Sequence, residues 1–404
     1  MFANTWGKFF AMRPSVRALL YVFWIYEFVG GMVGIFIQLY LYQKFTDVSL
    51  NMLATMVFFT GIMIGFCVPG FAASVWRLNS KHGFLLSFVV MSVSLMYLVR
   101  IETLAEAFVA MGLWGLGQGL FWLTVNTFEL AETKNHERDF YSSMLNAGAQ
   151  TFGLLGPACA TALIWLGMTL GLGPYALLFT VAPLVYLLGF LCFRYLQDYR
   201  PPRVVWADIK HFFTDRTNHV AQFYTIGSGI EGILGIAVVP LATLFILTTA
   251  LRVGVYETVF ALLSAAGVLL LAPYRNDSNR LVIYGLSVTV IAAVTAWLGA
   301  ELTFVSLVVY TVLNALLSPI KNVSAHVLDL QVMETGRKET DFYATMLLRD
   351  FFLWVWRCAG GLAFLWLVQH TETQAVAIQT GLYLLAGALI FRYLTAVVFV
   401  KLKA

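Results

Sequence analysis

The sequence predicts an all-α membrane protein, with twelve transmembrane helices in two six-helix bundles related as a parallel pseudo-repeat. Three observations carry that prediction. Charge is scarce, apolar stretches of spanning length recur along the chain, and a short motif repeats half a chain apart.

The scarcity of charge comes first. Of 404 residues, 60% are hydrophobic and 11% are charged. Soluble domains carry about 25% charged residues, and fewer than half that number leaves too few groups to cover a water-facing surface. A bilayer removes the requirement because it is itself apolar. The formal net charge of +4 and pI near 8.8 give no reason to invoke nucleic acid. Met1 to Ser15 lacks the charged start, apolar core and small-residue site of a cleavable signal.

A spanning helix needs about 20 apolar residues. Twelve stretches qualify: 18–42, 51–73, 83–99, 104–127, 142–167, 174–196, 220–249, 256–273, 281–300, 303–325, 343–368 and 376–398. Their connectors are short. The longest contains Pro201-Pro202 and mixed charges, and it divides the chain into 1–197, a central loop at 198–219, and 220–404. Basic residues then set the orientation. Only Lys44, Arg100 and Arg252 fall in loops on one side, and the remaining 22 of the 25 Lys and Arg do not. Both termini and the central loop are therefore expected in the cytoplasm.

The repeat links the halves. Glu132, Thr133, Glu137, Asp139, Phe140, Tyr141, Met144 and Leu145 recur as Glu334, Thr335, Glu339, Asp341, Phe342, Tyr343, Met346 and Leu347. The spacing is constant at 202 residues, half the chain (334 minus 132). Six spans per half is an even number, so the two copies point the same way.

Six plus six spans with a long central loop resemble the major facilitator superfamily. The loop from Gly70 through Arg77 and Lys81 to Gly83 keeps that family's glycines and basic residues and lacks its Asp. Gly156-Pro157 resembles the Gly-Pro element of the family's antiporters, with Ala and Thr in place of the later glycines. The fourth span lacks the Arg that proton antiporters of the family often carry. Arg349-Asp350 followed by Arg357 resembles an Arg-acid-x6-Arg pattern of a poorly characterised branch. The resemblance implies two bundles rocking around a central chamber lined by spans one, four, seven and ten, with spans five and eleven beside it. It also implies a multi-pass protein of the bacterial inner membrane, acting as a monomer on a small-molecule substrate, with protons as coupling ion and no cofactor. The Gly-Pro element favours export.

Ionisable groups in hydrocarbon cost several kcal/mol unless paired or wetted, so each one marks a candidate site. Glu27, Glu231 and Arg357 lie near the middle of spans one, seven and eleven by the helical rise of about 1.5 Å per residue. The two acids are candidates for proton coupling or substrate binding. Alternatively, they are structural acids paired with Arg357 or bonded to backbone. Arg357 is a candidate for an anionic substrate group or a counter-ion. Arg349 and Asp350, closer to the cytoplasm, are candidate gate residues. Arg392, near the end of span twelve, is expected to snorkel. Gln118, Trp122 and Asn126 are spaced by four and share a stripe on span four, as do Asn146 and Gln150 on span five. Interhelical hydrogen bonding accounts for such residues as well as cavity lining does.

Other features are bland. Gly115-Leu-Gly117-Gln-Gly119 has the look of a nucleotide loop but lies inside a spanning helix, where glycines serve close packing. Cys67, Cys159, Cys192 and Cys358 fit apolar filler. The six histidines fall in loops or at span ends, away from any metal cage. No catalytic set and no Walker motif is present, so an enzyme is not expected. A receptor or assembly component with the same fold is the alternative.

Overall fold

A computed structural model describes residues 7, 9–132, 135–214, 216–271, 280–333 and 339–403. All regular structure among them is helical. Twelve helices are long and apolar enough to cross a membrane.

The first half comprises α1 (Pro14–Phe45), α2 (Val48–Trp76), α3 (Lys81–Leu98), α4 (Leu104–Glu132), α5 (Asn135–Thr169) and α6 (Ala176–Phe193, broken at Leu188–Gly189). The second comprises α7 (Arg216–Leu247), α8 (Ala250–Leu271), α9 (Arg280–Ala300), α10 (Phe304–Met333), α11 (Glu339–Val368) and α12 (Gln374–Lys403). The helices overrun the apolar stretches at both ends. Local chemistry sets those ends. Pro14 opens α1, where its missing N–H costs nothing. Thr46 closes α1 in the left-handed region, and Asp47 caps α2 by accepting from Ser49 N at 2.7 Å. Part of the central segment is itself helical: Trp206–Thr214 forms a linker helix that lays Phe212 and Phe213 against Phe352 of α11.

The repeat is visible in the packing. In the first half the contacting pairs are α1–α5, α1–α6, α2–α4, α3–α4 and α3–α6. Each recurs six helices later as α7–α11, α7–α12, α8–α10, α9–α10 and α9–α12. Between halves, α5 packs on α8 and α2 on α11, two seams that the same shift exchanges.

The glycines of α2 and α4 explain how the backbones approach. A Cβ on Gly115 would stand 1.9 Å from the Phe58 carbonyl oxygen, one on Gly119 2.2 Å from that of Ile62, and one on Gly65 2.2 Å from that of Leu116. The glycine run in span four is thus a packing face, as expected. Gly156 of the Gly-Pro element does the same between α5 and α1, where its Cβ would meet the Phe28 carbonyl at 2.6 Å.

Loop contacts sort the two ends of the molecule. At the end bearing the termini, Ser74 donates to Pro202 O at 2.7 Å and accepts from Val204 N at 2.6 Å, Ser80 N donates to Tyr199 O at 2.8 Å, and Lys81 pairs with Asp198 at 2.5 Å. The central segment is thereby stapled to the α2–α3 corner. At the far end, Tyr175 donates to Gln43 at 2.7 Å, and Lys44 donates to the Ile101 carbonyl.

Candidate functional site

Glu27 sits on α1 beside Gly30 and Gly34, and a Cβ on either glycine would meet nothing within 4 Å. The two glycines therefore border open space on the helix face that Glu27, itself partly buried, shares. Among the described residues, no hydrogen bond or ion pair to Glu27 is present. Its neighbour Tyr26 is bound tightly. Tyr26 donates to Gln118 Oε1 at 2.9 Å, accepts from Trp122 Nε1 at 3.1 Å, and stacks on Phe121 with centroids 3.9 Å apart. Gln118 and Trp122 of α4 are thus occupied in holding α1. Asn126 is half-buried on the same face. The side chains of Asn146 and Gln150 lie outside the described residues, as do those of the repeated loop residues up to Phe140 and Phe342.

Glu231 has the opposite setting. Its Oε1 accepts from Lys321 Nζ at 2.7 Å and its Oε2 from Arg392 Nη1 at 2.8 Å. Arg392 also donates to the Tyr224 hydroxyl at 3.3 Å. The three side chains are only 11–14% exposed. Glu231 is thus an anion held between two cations. This corrects two expectations. Arg392 does not snorkel; it turns inward because Glu231 offers it a charge-assisted bond that a lipid headgroup would have to match. The partners of Glu231 are Lys321 and Arg392, not Arg357.

Arg357 lies where α11 meets α7 and α2. Its guanidinium stands 4.3 Å above the Phe59 ring, and its Nε is 3.6 Å from where a Cβ on Gly232 would be. Asp350 lies at the α2–α11 seam, its charge felt by Arg357, Arg349 and Cys67. Its Oδ2 is buried with no hydrogen-bond partner among the described residues. Around it the seam is sealed. Tyr343 donates to Gly70 O at 3.2 Å, Cys67 Sγ to Leu347 O at 3.4 Å, and Phe66, Leu123 and Met346 fill in. At the far end Gln374 of α12 accepts from Tyr42 at 2.5 Å and donates to Thr46 O at 2.8 Å. The halves therefore touch at both ends, with Glu27 and Arg357 between.

Two charged residues, Lys321 and Glu257, escaped the sequence reading. Lys321 and Arg392 complete the Glu231 cluster. Glu257 of α8 follows Tyr256, whose hydroxyl accepts from Thr311 of α10 at 3.0 Å. The rule that singled out Glu27 applies equally to Lys321, which stands inside the tenth apolar stretch.

No family model and no curated protein matches this chain. Solved structures do. A mutant of the nucleoside transporter NupG superposes with a TM-score of 0.66 at 13% identity, covering 96% of this chain and 100% of its own. Another NupG structure gives 0.65 at 12%, covering 96% and 98%. The human organic anion transporter MFSD10 gives 0.64 at 12%, covering 95% and 99%. The chain shares the twelve-helix fold of these structures.

Proposed function

We propose that this protein is a secondary active transporter that moves a small organic solute by alternating access, with protons as the coupling ion and Glu27 as the acid that carries them. One observation carries the reading. Glu27 shares a helix face with Gly30 and Gly34, which border open space, and has no partner among the described residues, whereas Glu231 is held by two cations. An unpartnered acid is available to exchange a proton; one clamped between two cations serves structure or anion binding instead. Tyr26, Trp122 and Phe121 beside Glu27 offer aromatic faces, and Gln118 offers an amide, a set suited to a flat organic molecule. Arg357 contributes positive charge on the opposite wall, and Arg349 and Asp350 act at the α2–α11 gate. The orientation has both termini in the cytoplasm of a bacterial cell, with the monomer as the working unit and export as the direction.

The test is proton movement. The protein is reconstituted in vesicles loaded with a pH-reporting dye, and uridine, benzoate and benzyltrimethylammonium are added as probes under an imposed pH gradient. We expect solute-dependent proton flux with at least one probe, reduced at least tenfold by Glu27→Gln. Absence of flux with all three, or equal flux in the variant, would overturn the proposal.

A further inference from the structure

The acid on α8 belongs to neither the Glu27 site nor the Glu231 cluster. At about 100° per residue, Glu257 points some 165° away from Val255, Val259 and Leu262, which are exposed to the surroundings at 52%, 46% and 53%. It therefore faces inward. Gly254, one turn earlier, packs against Thr161 of α5 and Phe36 of α1. Tyr256, the preceding residue, accepts from Thr311 of α10 at 3.0 Å. Glu257 thus projects into the angle between the α5–α8 seam and α10. It remains partly accessible there.

Among the described residues it has no hydrogen bond or ion pair. Arg252, the basic residue of its own helix, is exposed and turned to Thr248. Lys321 shares the α10 face with Tyr310 but stands eleven residues on, about 16 Å along the helix, and is bound to Glu231. On the α10 side Thr311 holds Tyr256, and the adjoining Tyr310 hydroxyl accepts from Asn314 at 3.1 Å. An inward-facing carboxylate beside Tyr256, with no counter-charge among the described residues, has the composition that recognises an organic ammonium group.

We infer that Glu257, beside Tyr256, forms a site for the ammonium group of a cationic solute. The inference builds on the carrier reading, since it names a chemical class the chamber takes. It fails separately, because binding at equilibrium needs no gradient and no proton flux.

The experiment uses the purified full-length protein and benzyltrimethylammonium, whose charge does not depend on pH. A bound ligand raises the apparent melting temperature. We expect a shift of several degrees that is absent with benzyl alcohol, benzoate or an equal concentration of sodium chloride. The shift should vanish in Glu257→Gln, weaken in Glu257→Asp and persist in Glu27→Gln. A second measurement needs no variant: in the wild-type protein the probe should slow carbodiimide labelling of the Glu257 peptide several-fold, read by mass spectrometry. An unchanged shift in Glu257→Gln, no protection from labelling, or equal protection by sodium would overturn the proposal.

Discussion

The charged side chains divide by whether the protein supplies a partner. Glu231 has two, and removing its charge takes their shared anion from Lys321 and Arg392 in a buried place. Breaking a buried pair costs about 3–5 kcal/mol, so Glu231→Gln should lower the melting temperature sharply in detergent. Glu27→Gln, with no described partner to strand, should leave it nearly unchanged. Equal losses would show that the two acids do the same job. This contrast was only half legible in the sequence. Position in an apolar stretch located both acids, since hydrocarbon makes any charge conspicuous. Pairing depends on which helix face meets which neighbour, and no residue of the pattern records that. Arg392 illustrates the difficulty, because a long basic side chain near a span end fits snorkelling and inward pairing equally well. Glu257 was hidden for another reason. The apolar stretch starts at 256, just after the charge of Arg252, while the helix starts at Ala250. The acid that looked terminal is therefore in the helix body.

At the scale of the helices, packing is governed by whether a glycine meets backbone or space. Gly115 has a carbonyl oxygen where a methyl would go, so Gly115→Ala must force α2 and α4 apart. Overpacking of this kind costs about 1–3 kcal/mol. Gly30 has nothing within 4 Å, and Gly30→Ala should leave the melting temperature unaltered while narrowing the space beside Glu27. Identical effects of the two substitutions would refute that distinction. The sequence announced close packing through its glycine run but could not say which glycines line a chamber. The central segment makes a second element-scale prediction. Lys81, the larger influence, and Asn79 bond to Asp198 and hold its carboxyl below the ordinary carboxylate range. A depressed acid stabilises its contact at any pH above its normal titration range and loses that contribution as pH falls through the lowered value. The staple to the α2–α3 corner should therefore survive down to about pH 4 and open only in stronger acid. Protease cleavage within 198–205, followed against pH, checks this; opening between pH 6 and 5 would contradict it.

For the whole molecule, topology was the most legible level. Twelve apolar stretches and a repeat at half the chain length anticipated the five packing pairs that recur six helices later. The contacts that close the two ends were not legible, because they join residues far apart in the chain, such as Gly70 with Tyr343, 273 positions on, and Tyr42 with Gln374, 332 positions on. Alternating access, as proposed, requires these two closures to open in turn. Spin-label distances test this most directly, in protein without its native cysteines. One pair, at Glu102 and Glu372, spans the far end; the other, at Leu78 and Phe213, spans the end that bears the termini. All four sites are exposed. Between pH 8 and pH 5 in lipid, the account predicts that one distance lengthens as the other shortens, and that Glu27→Gln freezes both. Two distances that stay fixed, or that move in the same sense, would contradict it.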